Sequence, residues 1–304
     1  MSVTTATAAP SRHPTFPGLP ATIALSPSRA SDFLTCPLLF RFRAIDRFPE
    51  RPSAPAARGT LVHQVLEDLF DLPAADRTLE SARKLLEPAW ASLVEQEPDL
   101  NLVLLPDAQF PVVDQDDAPS PTVSQVAQWL TDAEPLLRTY FCLEDPTRLE
   151  PEAREMRVEV QLEDGPPLRG IIDRLDVAPG DLLRVVDYKT GRSPSPGYEQ
   201  KAMFQMRFYA LMLWRLRGIL PKRLQLLYLG DGQVVHYDPT PEELIGFERM
   251  LRALWTTITA VAANGDWQPK ESKLCGWCDH HALCPAKGGI TPPLPTFIDL
   301  TADR

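Results

Sequence analysis

The sequence predicts an α/β fold in which a mixed β-sheet is flanked by helices. Three observations predict it. Apolar residues recur at helical spacing over much of residues 26–145. The period then shortens to two around residue 157, and two more strand-like runs follow. A helical pattern returns before a hairpin and a last long helix.

In order along the chain, residues 1–24 are rich in Ala, Pro, Ser and Thr and read as a disordered tail. Ser26-Pro27-Ser28 opens a helix, with a Ser cap and Pro in the first turn, carrying Phe33, Leu34, Leu38 and Phe40. Residues 49–57 read as a Pro/Ala linker. A second helix then starts at Gly59-Thr60 and runs from Leu61 to Phe70, with Leu61, Val62, Val65, Leu66, Leu69 and Phe70 as a wide apolar stripe. Residues 78–145 read as helical with a polar interruption. Within them Asp107 to Pro121, with four Asp and three Pro, is expected to be a mobile loop.

Arg157 to Leu162 alternates polar and apolar residues, as a half-buried strand does. Asp164-Gly165 is a turn signal. Leu168 to Val177 and Leu182 to Tyr188 form two further strands around Pro179-Gly180-Asp181. A helix from about Glu199 to Leu216 follows. Leu224 to Leu229 and Val234 to Tyr237 make a hairpin around Asp231-Gly232, and Pro241 to Ala263 is a long helix. There is no internal repeat.

Composition narrows the class. The 304 residues are 44% hydrophobic and 24% charged, ordinary for a globular chain with a real core. No run approaches a membrane span, and no secretory signal opens the chain, so the expected compartment is the cytosol. The net charge of −10 argues against a protein that binds nucleic acid over its whole surface. A local basic bias exists at Arg41, Arg43, Arg47, Arg51 and Arg58, opposed by Asp46 and Glu50. It reads equally as a DNA-facing patch or as a solvated face. No phosphate-binding loop is present, so an ATP-driven motor is not expected in this chain.

The chemistry-bearing stretch is Gly170-Ile-Ile-Asp173-Arg-Leu-Asp176 followed by Val185-Val-Asp187-Tyr-Lys189-Thr-Gly191. On a strand, Asp187 and Lys189 share a face while Val186 and Tyr188 take the other. A hairpin connection lets Asp173 reach the same face from the neighbouring strand. Two carboxylates suit a hard cation such as Mg²⁺ or Mn²⁺, and a lysine beside it can steady developing negative charge. A bare Asp-x-Lys would more often be a weak surface ion pair, but the second Asp on a paired strand favours the site. His63, four residues before Glu67 and off the apolar stripe, offers an imidazole. Gln205 and Tyr209 share one face of the following helix, where helix amphipathicity explains Tyr209 nearly as well.

Taken in order, Gly-Thr-Leu-Val-His63, Gly-Ile-Ile-Asp173, Val-Val-Asp187-Tyr-Lys189-Thr-Gly and Gln205-x₃-Tyr209 resemble the motifs of the RecB-like, Cas4-like branch of the PD-(D/E)xK nucleases. The resemblance covers roughly residues 26–286. It implies a restriction-endonuclease-like core with a helical insertion and a C-terminal cysteine cluster. It also implies His63, Asp173 and Asp187 as metal ligands, Lys189 as the catalytic lysine, Gln205 and Tyr209 as the supporting helix motif, and a metal contact for the Tyr188 carbonyl. Glu155 and Glu159 compete for the acidic position on the first strand. The domain reading is a tail at 1–24 and a single nuclease domain at 25–287. That domain has a helical insertion at about 74–148, a catalytic core at about 150–265 and the cysteine cluster at 270–287. A flexible tail occupies 288–304.

Cys275-x₂-Cys278-x₅-Cys284 supplies three thiolates, and Cys36 is the candidate fourth. The residues alone read first as a zinc site, with His280 and His281 as alternative ligands. The spacing is similar to the iron–sulfur staple of AddB-type and Cas4-type nucleases, and the resemblance therefore implies a [4Fe–4S] cluster. Cys142 fits neither pattern and is expected to be a buried structural thiol. The expected function is a Mg²⁺- or Mn²⁺-dependent deoxyribonuclease, an exonuclease of DNA repair or recombination. It would act on single strands or duplex ends, with Arg41, Arg43 and Arg47 on the DNA and unwinding left to a separate helicase. The alternatives are a non-catalytic nucleic-acid-binding module and an iron–sulfur redox sensor.

Overall fold

The structure is a computed structural model that describes Leu19 and residues 23–110, 120–195 and 200–295. Most of the expected N-terminal tail, the centre of the Asp107–Pro121 loop and the last nine residues lie outside the described residues. Leu19 and Ile23, within the expected tail, are buried. The chain divides into two compact units. One comprises residues 49–160 and 169–249, the other residues 1–48, 161–168 and 250–304.

The helices are α1 (Pro27–Thr35), α2 (Pro37–Phe40), α3 (Ala54–Leu69), α4 (Leu79–Gln96), α5 (Val123–Leu143), α6 (Gln200–Arg217) and α7 (Pro241–Asn264). The strands are β1 (Ala153–Gln161), β2 (Pro167–Ala178), β3 (Leu182–Lys189), β4 (Arg223–Tyr228) and β5 (Gln233–Tyr237). They form one five-stranded sheet in the order β1-β2-β3-β4-β5. β3 pairs antiparallel with β2 and parallel with β4, and β4 pairs antiparallel with β5. The sheet is therefore mixed, with α6 as the crossover that a parallel pair requires. This is the restriction-endonuclease-like arrangement the sequence predicts.

In the larger unit, α3 begins at Ala54, not at Thr60. Ser53 caps it by accepting from the Ala56 N–H, and Pro55 sits in the first turn, where its missing donor costs nothing. The expected Pro/Ala linker is thus half helix. The predicted stripe is buried: Leu61, Val62, Val65, Leu66 and Leu69 pack with Leu86 and Trp90 of α4 and with Trp129, Leu137 and Tyr140 of α5. Val186 and Tyr188 of β3 close this core from the sheet. Thr122 and Gln125 form a reciprocal capping box at the start of α5. Cys142, expected to be buried, is exposed on the last turn of α5.

Beneath the sheet lies a charge the sequence reading did not single out. Arg174 of β2 is fully buried. It donates to both Glu144 carboxylate oxygens at 2.7 and 2.9 Å and to the Tyr188 hydroxyl at 2.9 Å, and it pairs with Asp176. A guanidinium so placed is tolerated only because two carboxylates and a hydroxyl meet it. Arg174→Met, which removes one partner and strands Glu144, is expected to destabilise the fold by about 3–5 kcal/mol. Urea titration of the variant checks this, and a loss below about 1 kcal/mol would contradict it.

In the smaller unit the expected first helix is broken. Cys36 is extended (φ −160°), because the residue before Pro37 is driven out of the helical region. The chain continues through α2 and a wide helical turn at Arg41–Asp46. Phe33 and Phe40 pack against Trp267, Phe40 nearly parallel to it at 5.8 Å. Arg41 is buried, donating to Asp46 at 2.9 Å and to the Pro292 carbonyl at 2.6 Å. Its guanidinium is a structural tie, so its assignment to a DNA-facing patch is corrected. Arg43 and Arg47 are exposed, Arg43 pairing with Asp32. The tail expected to be flexible from residue 288 is bonded through its first residues: Gly289 and Ile290 N–H groups donate to Cys284 and Ala282 carbonyls. Among the described residues no helix is long and apolar enough to cross a membrane.

Candidate active site

The site is assembled on β2 and β3 and flanked by α3 and α6. β2 and β3 are joined through Pro179-Gly180-Asp181, with Gly180 and Asp181 both left-handed (φ 85° and 56°), the backbone that a tight hairpin needs. The hairpin sets the register, Arg174 opposite Val186. That register directs Asp173, the next residue of β2, toward the face shared by Asp187 and Lys189, where its Oδ2 accepts from the Tyr188 N–H. Register therefore performs what spacing within one strand could not.

Asp187 is only 1% exposed. Its Oδ2 meets Lys189 Nζ at 2.6 Å, and its Oδ1 accepts from Gln205 Nε2 at 2.9 Å. Gln205 Oε1 in turn accepts from Lys189 Nζ at 2.8 Å, so the α6 amide bridges the acid and the base of β3. The same Nε2 lies 2.9 Å from the Tyr209 hydroxyl. The tyrosine ring lies close against β2 because Gly170 is there. A Cβ at Gly170 would stand 2.8 Å from Tyr209 Cε1, a distance that real side chains do not sustain.

His63 reaches the cluster from α3. Its Nε2 lies 3.0 Å from the Tyr188 carbonyl, and its Nδ1 faces Asp173 at 3.5 Å and Glu155 at 3.7 Å. Asp173 also accepts from the Tyr188 N–H at 2.8 Å. One ligand atom each from His63, Glu155 and Asp173 lies within 4.8 Å of the other two. The histidine and one aspartate of the expected ligand trio are thus brought together, with Glu155 as third. Asp187 faces the same group while its oxygens are held by Lys189 and Gln205.

Between the two glutamates that compete for the first-strand position, the structure selects Glu155; Glu159 is exposed. β1 starts four residues earlier than the alternating pattern indicates, and Glu155 has a left-handed backbone (φ 40°) within it. That irregularity breaks the period-two alternation and re-aims the carboxylate. No sequence pattern signals a left-handed glutamate.

The electrostatics are those of a cation site. Burial and then the Asp187 charge push the Asp173 carboxyl up to about 7. Burial alone would lower the His63 pKa. The Glu155 hydrogen bond and the charges of Asp173 and Asp187 outweigh it and raise it to about 9. A hard divalent ion bound among these crowded carboxylates would relieve the repulsion that raises Asp173, and it would displace the proton that the same carboxylates hold on His63. Above the group opens a cleft of about 700 Å³, lined by Gly59, His63, Glu67, Glu155, Lys189 and Thr190 among others.

The cysteines occupy a different place. Cys36, Cys275, Cys278 and Cys284 all line one cavity of about 60 Å³ in the smaller unit. Its walls are largely apolar, with Leu38, Leu39, Phe42 and Leu274. The Lys270 N–H donates to Cys36 Sγ and the Ser272 N–H to Cys275 Sγ, each at 3.4 Å. His281 Nε2 is engaged with the Cys275 carbonyl at 2.6 Å, and His280 is buried beside the rings of Phe42 and Phe48.

Residues 24–285 match the family model of the PD-(D/E)XK nuclease superfamily. The chain is similar to the Gene 69 proteins of Mycobacterium phages L5 and D29. It is 25% identical to each, over 284 and 269 residues, covering 86% of this chain and 95% and 96% of theirs. In three dimensions it is similar to a crystal structure described as a candidate exonuclease from Eubacterium rectale. That likeness has a TM-score of 0.51 and 14% identity and covers 92% of this chain and 93% of the other.

Proposed function

From the chain's membership of the PD-(D/E)XK nuclease superfamily, we propose that it is a metal-dependent DNA nuclease, an exonuclease of the RecB-like branch that serves repair or recombination. One observation carries the reading. Gln205 is hydrogen-bonded to both members of the Asp187–Lys189 ion pair, beside the His63, Glu155 and Asp173 group, and His63, Glu155 and Lys189 line a single cleft.

His63, Glu155, Asp173 and Asp187 would hold Mg²⁺ or Mn²⁺. The bound cation supplies Lewis acidity toward the phosphodiester and toward a water. The chain's own groups do the rest. Lys189 presents an ammonium to the negative charge that develops on the phosphate, where a preplaced cation is worth more than in water. Gln205 holds that ammonium and Asp187 in one orientation, so neither reorganises during the reaction. Tyr209 anchors Gln205 in turn.

The test is a time course on end-labelled single- and double-stranded DNA, with Mg²⁺ and Mn²⁺ in parallel and EDTA as control. Cleavage is expected with either ion and not with EDTA. Undiminished cleavage in EDTA would overturn the reading, and so would a pure, folded protein inert with both ions.

The same reading assigns a [4Fe–4S] cluster to Cys36, Cys275, Cys278 and Cys284. It is supported by all four thiols lining one apolar cavity and by the backbone N–H groups directed at two of the sulfurs. His281 lines the same cavity, so zinc held by three of the cysteines and this histidine is the alternative that metal analysis decides. DNA is the partner, with Arg43 and Arg47 as the exposed basic contacts. A separate protein would supply any unwinding, and the compartment is the cytoplasm.

A further inference from the structure

The chain leaving β3 carries the cleft wall, and it is laid down on the β4–β5 turn. The Leu229 N–H donates to the Lys189 carbonyl at 2.7 Å, and the Gly230 N–H donates to the Gly191 carbonyl at 3.2 Å. The two backbones approach so closely that a Cβ at Gly230 would stand 2.6 Å from the Gly191 oxygen. Asp231 then closes the contact. Its Oδ2 accepts from the Ser193 N–H at 3.0 Å and from the Ser193 hydroxyl at 2.7 Å. Asp231 lies in the turn between β4 and β5 and is not among the residues that line the cleft, whereas Thr190 and Gly191 line it beside Lys189.

We propose that Asp231 is a positioning residue that sets how tightly the cleft seats a nucleic-acid strand, by pinning the Thr190–Gly191 wall through Ser193. Two donors of Ser193 converge on one carboxylate oxygen, so the tie joins the chain leaving β3 to the β4–β5 turn, 38 positions away. The Ser193 bonds also hold the Asp231 carboxyl below the usual carboxylate range. The lysine itself is secured independently, by Asp187 and Gln205. Loss of the clamp therefore loosens the wall and leaves the acid–amide–lysine set in place. The consequence falls on substrate affinity and not on the chemical step.

This inference rests on the nuclease reading for its kinetic arm, so two arms are independent of cleavage. Asp231→Ala, the rescue variant Asp231→Asn and the parent are compared with a fluorescein-labelled single-stranded oligonucleotide. Steady-state cleavage with Mn²⁺, fluorescence anisotropy in Ca²⁺, and amide hydrogen exchange over residues 190–195 are measured. For Asp231→Ala the expected result is a KM and a Kd raised about tenfold. Its kcat stays within about twofold, its Tm is unchanged, and the Ser193 amide loses protection. Asp231→Asn, which keeps an acceptor oxygen, recovers most of the affinity.

A variant with parental KM and Kd overturns the proposal, as does one whose kcat falls while KM stays constant. Retained protection of residues 190–195 overturns it as well. A parent that binds the oligonucleotide without cutting it removes the nuclease reading and leaves the binding and exchange arms to decide. A parent that does not bind removes both.

Discussion

Lys189→Ala is expected to stop DNA cleavage while leaving the fold intact, with a fall of at least about 10²–10³-fold in kcat. The ammonium is 30% exposed at its side chain and sits at the mouth of the cleft, so its removal opens no core cavity. It does leave Asp187 Oδ2 facing no cation and Gln205 Oε1 without its donor. Asp187→Ala should lose as much activity for another reason: it deletes a carboxylate at the metal and releases both Lys189 and Gln205. Circular dichroism and a melting curve establish that each variant is folded, and the end-labelled DNA assay gives the rate. Folded variants that cut at the parental rate would remove these residues from the chemistry. Because Asp187, Lys189 and Gln205 are mutually bonded, the double variant should cost little more than either single one.

The second large effect concerns the cysteines. Protein purified without oxygen is expected to be brown and to contain iron and acid-labile sulfide. Cys36→Ser should then destabilise the chain by about 5 kcal/mol, the entropy of a cross-link that closes a loop of more than two hundred residues. The loss should appear in thermal unfolding of the whole protein and not only of α1. Cys142→Ser should change neither colour nor stability, since that thiol is exposed and does not line the cavity. Zinc would use the same ligands without colour. A colourless protein whose one equivalent of zinc survives Cys36→Ser would replace the staple with a local C-terminal zinc knuckle.

Much of this was legible in the chain itself, for local reasons. The shift from helical to period-two spacing near residue 157 located the sheet, because each period follows from backbone geometry within one element. Asp187 and Lys189 shared a face by strand alternation alone. Gln205 and Tyr209 shared one by helical spacing, and the structure brings Tyr209 to Gln205 as that spacing implies. Ser26 and Ser53 cap helices whose first turns hold Pro, although only the first was read from the sequence.

What local pattern could not supply was decided by the tertiary structure. Glu155 over Glu159 rests on one left-handed residue inside β1, a conformation that no propensity marks. Arg41 became a buried tie and not a surface charge because Asp46 and the carbonyl of Pro292, 251 positions away, meet its guanidinium. Arg174 could be placed inside only once Glu144 and Tyr188 were there to receive it. Residue type and spacing determine which chemistry a chain can present on each element. Which charges are desolvated, and which partner each one finds, depends on contacts between segments distant in sequence, and burial and register set those contacts only when the whole chain folds.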